Sequence, residues 1–171
     1  MCNFYNSVQM KKILFLLAAL LITIGNTCLA KDPDVMSWAT LMPKNATPKQ
    51  VTALLGKPNK IADNKKTTEW HYTMGDHNLV VFWNKKSDEC IKFSFRSNPC
   101  EKCIFDARLS RKLHSGTTDL KQTLALLGTP KDMTIKSSKQ EVHYAYQNNV
   151  LRLFFRDQVL VDYTLLGQAG H

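Results

Sequence analysis

The stretch ALLGKP at Ala53–Pro58 returns as ALLGTP at Ala125–Pro130, 72 positions later. In each copy the leucines ending an amphipathic run meet a glycine, which takes positive φ at no steric cost, and then a proline, which cannot continue a helix. Each copy reads as a helix stop. Laid on itself at this offset, the chain aligns without a gap: Lys49-Gln50 over Lys121-Gln122, Glu69 over Glu141, His71-Tyr72 over His143-Tyr144, and Leu79 and Phe82 over Leu151 and Phe154. A gapless match of that length reads as internal duplication.

Upstream of the first stop, Asp32-Pro33 predicts the start of a short helix with Val35, Trp38, Ala39 and Met42 on one face. Thr47-Pro48 opens a second helix carrying Val51, Leu54 and Leu55. Downstream, alternation predicts three strands per copy. Their apolar sets are Trp70, Tyr72 and Met74; Leu79, Val81 and Trp83; and Ile91, Phe93 and Phe95. The second copy answers with Val142, Tyr144 and Tyr146; Leu151, Leu153 and Phe155; and Val161, Tyr163 and Leu165. Hairpin turns are expected at Asn84–Asp88 and near Asp157. The expected fold is α+β, a tandem duplication of a helix-helix-three-stranded antiparallel sheet unit, with repeats at 31–102 and 103–171.

Residues 1–30 read as an export signal. Lys11 and Lys12 precede the apolar run Ile13 to Ile24, and Cys28-Leu29-Ala30 supplies small residues for cleavage. The run is short for a membrane span, translation can start at Met1 or Met10, and Gly25-Asn26-Thr27-Cys28 fits a lipidation signal poorly. A periplasmic or secreted location follows as an expectation. Loss of the two lysines lowers the net charge from +9 to +7, which favours an anionic neighbour such as an acidic protein face or a membrane surface. Cys90, Cys100 and Cys103 remain, and export predicts one disulfide among them with the pairing open.

A unit with Leu55-Gly56, Pro58, Trp70 and Tyr72, echoed by Leu127-Gly128, Pro130 and Tyr144, resembles the SmpA/OmlA-like (BamE-like) family of outer-membrane assembly proteins. Its tandem form resembles the beta-lactamase inhibitory protein fold. The chain differs in carrying Val142 where a second tryptophan would stand, and in its second copy as a whole. These resemblances imply a module that binds another envelope or secreted protein, either in envelope assembly or as an enzyme inhibitor, with no catalysis and no cofactor.

Strand parity places the candidate surface on the sheet face away from the helices. That set is Glu69, His71, Thr73, Val80, Phe82, Cys90, Lys92, Ser94 and Arg96, then Glu141, His143, Ala145, Arg152, Phe154, Leu160, Asp162 and Thr164, with Arg156 nearby. Aromatic and arginine side chains are the usual anchors of interfaces, so His71, Phe82, Lys92, Arg96, His143, Arg152, Phe154 and Arg156 form the expected interaction surface. Two sharper chemistries compete. The pairs Glu69/His71 and Glu141/His143 share a face and could ligate a metal or act as acid and base, although duplication suits inherited polar partners better. Cys90, Cys100, Cys103 and His114 could form a zinc site, and CEKC at 100–103 has thiol-redox spacing but lies between the copies, where a structural disulfide is the simpler reading. No phosphate loop, nucleophile elbow or nucleic-acid reader is present in the sequence.

Overall fold

Eight strands run as one antiparallel meander in the order β1-β2-β3-β4-β5-β6-β7-β8 in the computed structural model, which describes residues 35–98, 105–146 and 148–167. They are β1 Lys60–Asp63, β2 Thr67–Met74, β3 His77–Asn84, β4 Cys90–Ser97, β5 Asp132–Lys136, β6 Lys139–Tyr146, β7 Asn149–Arg156 and β8 Val159–Leu166. Among the described residues three short helices accompany them: α1 Val35–Ala39, α2 Pro48–Leu55 and α3 Leu120–Leu127. Single 3-10 segments lie at Pro43–Asn45 and Ala107–Lys112.

The expected tandem of helix-helix-three-strand units is therefore corrected. Strands β4 and β5 hydrogen-bond directly, from Lys92 opposite Lys136 to Arg96 opposite Asp132, so all eight strands share one ladder. Two separate three-stranded sheets would each leave two unpaired edges, and the join removes the inner pair. The first strand of each copy, β1 and β5, is additional to the expected set. The leading helix is also shorter than expected. Pro43 lacks the N–H that a continuing helix needs, so α1 ends at Ala39 and the chain resumes as a 3-10 turn.

One hydrophobic cluster underlies the helices. Trp38, fully buried, packs on Phe93 and Phe95 of β4 at ring centroid distances of 6.0 and 5.6 Å. The residues just after α1 reach the later part of the sheet. Gln140 Nε2 on β6 donates to Met42 Sδ, and Gln158 Nε2 donates to the Thr40 carbonyl. These contacts bind residues more than ninety apart in sequence into one core.

Both helix stops form. Thr47 and Gln50 make a capping box at the start of α2, and Asp119 and Gln122 make one at the start of α3. Gly56 has φ +77° and ψ −163°, and Gly128 has φ +77° and ψ −156°. Positive φ is as expected, yet this ψ lies in an extended region open essentially to glycine alone rather than in the left-handed helical basin.

Candidate functional site

The face of the sheet away from the helices carries His71, Phe82, Lys92, Arg96, His143, Arg152, Phe154 and Arg156, placed there by strand alternation. Their inward neighbours Tyr72, Val81, Phe93, Val142, Leu153 and Phe155 are buried on the other side. Two assignments are overturned. Cys90 and Leu160, expected on this open face, are buried in the core at 7% and 0% exposure. The cause is a β-bulge in each half. Pairing runs Phe82 to Lys92 and then Trp83 to Cys90, and likewise Phe154 to Asp162 and then Phe155 to Leu160. One extra residue reverses the parity of everything before it on the strand.

A second correction concerns β8. Val161, Tyr163 and Leu165 were expected in the core and are 48%, 38% and 43% exposed. Tyr163 and Leu165 do lie opposite the buried Leu153 and Leu151, but on an outer strand beyond the cluster that the helices cover. Val161 is the extra residue of the bulge and lines a groove on the open face instead.

The register arranges this face in rows. Arg96 stands directly opposite Asp132 and is bound to it, Nε to Oδ1, at 2.8 Å, so its charge is already engaged. His143 Nε2 and Glu141 Oε1 are hydrogen-bonded at 2.7 Å. His71 Nε2 and Glu69 Oε2 approach to 3.3 Å without the alignment of a hydrogen bond. The second Glu-x-His pair thus closes on itself, whereas in the first Glu69 accepts from Asn64 Nδ2, and among the described residues no three His, Cys, Asp or Glu side chains gather as a metal site. The Cys90 thiol is free, and burial pushes its pKa up to about 12, so it is neither half of a disulfide nor a reactive thiolate. Cys100 and Cys103 lie outside the described residues, as does the expected signal segment.

The two phenylalanines have different surroundings. Lys92 Nζ sits 4.0 Å from the Phe82 ring centroid, a cation–π contact that caps that ring. Phe154 instead helps to line an open groove of about 350 Å³ with Thr134, Lys136, Lys139, Glu141 and Arg156. Lys136, Lys139 and Val161 were missed from sequence. Met133 and Ile135 alternate around Thr134, and that period-two signal could have revealed β5.

No protein-family model and no curated protein matches this chain. Among solved structures, a candidate beta-lactamase inhibitor protein from Streptococcus mutans is similar at 14% identity over 70% of this chain and 82% of its own, with a TM-score of 0.44. A DUF4309 family protein, YjgB, from Bacillus subtilis is similar at 16% identity over 72% and 80%, with a TM-score of 0.28. At such scores neither likeness bears on what this chain does. Nothing in these comparisons shows the outer-membrane assembly family.

Proposed function

We propose that this chain is an exported protein-binding module that docks its partner on the open face of the sheet. The observation that carries this reading is the composition of a face that none of the described helices covers, where Phe82 and Phe154 are only partly buried and Arg152 and Arg156 are exposed. Neither arginine has an ion-pair partner among the described residues. Solvent-facing sheet surfaces are ordinarily plainly polar, and aromatic rings beside unengaged arginines are the composition of interface anchors. An enzyme inhibitor would be one form of such a module, and no feature of the face favours an enzyme as partner over another envelope protein. Export rests on the segment at 1–30, with a mature N-terminus at Lys31 as its direct test by intact mass.

The binding reading is tested by recovering a partner from envelope extract on immobilised protein and comparing variants. Phe154→Ala should weaken capture by as much as about 2 kcal/mol, and Phe82→Ala by less because Lys92 already covers its ring. Both variants should keep the parent melting temperature within a few degrees. Undiminished capture by both, or unfolding of both, would overturn the assignment of this face.

A further inference from the structure

Four cations stand side by side across β4 to β7, at the strand ends beside the β5–β6 turn. Lys92 on β4 is directly opposite Lys136 on β5, Lys136 is opposite Lys139 on β6, and Lys139 is opposite Arg156 on β7. Like charges in direct cross-strand register repel, so this row costs stability unless something anionic neutralises it. Within the described residues nothing does. None of the four has an ion-pair partner. Of the carboxylates on this side, Glu141 is hydrogen-bonded to His143, Asp132 is bound to Arg96 and Asp162 accepts from the Tyr163 amide, and neither these nor Asp157, which follows Arg156, forms an ion pair with the row. The row is also not a by-product of the internal repeat. The positions 72 earlier than Lys136, Lys139 and Arg156 are Asn64, Thr67 and Asn84, all neutral.

Resting on the binding reading above, we infer that the partner presents an extended acidic protein segment that lies along this row, across the strands, with carboxylates at alternate positions. Adjacent strands are about 4.8 Å apart, so four neighbouring strands place the outer cations roughly 14 Å apart. An extended chain rises about 3.3 Å per residue and repeats a face every second residue, so carboxylates at the first, third and fifth positions span about the same length. The groove beside Lys136, Lys139 and Arg156 has Phe154, Val161 and Glu141 in its lining as well. An acidic segment with small or apolar residues between its carboxylates can use both the cations and that apolar lining. A dense polyanion would gain nothing from Phe154 and would meet Glu141, and a flat membrane surface would not follow the groove.

The probe is the peptide acetyl-Gly-Glu-Ser-Glu-Ser-Glu-Gly-amide, titrated into the isotope-labelled chain by NMR. Controls are the same composition with the three glutamates consecutive and a version with glutamine at each glutamate. The expected result is amide shifts confined to the ends of β4–β7 nearest the row, with the alternating peptide binding about fivefold more tightly than the consecutive one. Binding should fall as salt rises. The triple variant Lys136→Gln, Lys139→Gln, Arg156→Gln should bind it roughly tenfold more weakly, as expected for loss of three partly exposed ion pairs. The same variant should melt at or above the parent temperature, because repulsion has been removed. Equal binding of the three peptides, or tighter binding of a heparin fragment or of vesicles rich in anionic lipid, would overturn the inference. Capture of the envelope partner separates it from the parent reading. If the triple variant captures as the parent does while Phe154→Ala does not, the acidic segment is wrong and the face is right. If both variants capture normally, both ideas fail.

Discussion

Several residues 72 apart, from the helix stops through β2–β3 and β6–β7, share their backbone course and yet are buried and paired differently. The matched glycines share φ +77°, and each half carries one bulge, between Phe82 and Trp83 and between Phe154 and Phe155. The packing diverges. Helix α2 buries only Val51, whereas α3 buries Leu120, Thr123, Leu124 and Leu127. The Tyr144 hydroxyl donates to the Gly128 carbonyl at 3.0 Å, while the buried Tyr72 hydroxyl has no such partner. Burial pushes the Tyr72 phenol up to about 12. Backbone geometry is thus reproduced by short-range residue choice, and the strength of each half is decided by what packs over it.

The largest effect should come from removing the largest fully buried side chain of the shared core. Trp38→Ala should cost about 3–5 kcal/mol, because a large ring is lost from the centre of the core. Hydrogen exchange should speed up in β6 and β7 as well as in β3 and β4. Unchanged protection in β6 and β7 would mean that the halves fold apart after all. Next, Leu124→Ala should cost about 3 kcal/mol, against about 0.5 kcal/mol or less for its counterpart Thr52→Ala, as read from denaturant melts. Equal costs would erase the packing difference between α2 and α3. Gly56→Val and Gly128→Val should each lose about 1–3 kcal/mol from backbone strain alone. Nothing stands within 4 Å of either added Cβ, so the two losses should agree. The smallest effect separates the tyrosines. Tyr144→Phe should cost about 1 kcal/mol by stranding the Gly128 carbonyl, and Tyr72→Phe should be close to neutral. A Tyr72→Phe loss as large as that at Tyr144 would reveal a partner for the Tyr72 hydroxyl.

The elements legible in the sequence were those with short-range signals. Thr47-Pro48 with Gln50 and then Gly56 marks both ends of α2, and the alternation of Leu79, Val81 and Trp83 assigns both faces of β3. The turn at Asp157 follows from local chemistry too, with positive φ at Asp157 and Gln158. Reading failed where one residue changes the period. Cys90 and Leu160 look outward by strict alternation and face inward because the bulge adds a residue that no local rule demands. β5 is only five residues long and follows a helix stop closely, so its alternation is a weak signal, and Lys136 and the cation row go with it.

By itself, then, the sequence determined the helix stops, six of the eight strands and the inward face of most of them, because these depend on φ preferences and on a period of two within a few residues. Only the tertiary structure decided that β4 pairs with β5, that Trp38 covers a core built from both halves, and that Lys92, Lys136, Lys139 and Arg156 become neighbours. The first of these depends on register between strands joined by the long connection from Ser97 to Asp132, and the cation row combines that register with those of the two short hairpins that follow it. A single-residue slip would send the same side chains to the opposite face, so the arrangement is selected by the burial of the whole core and not by any one stretch of chain.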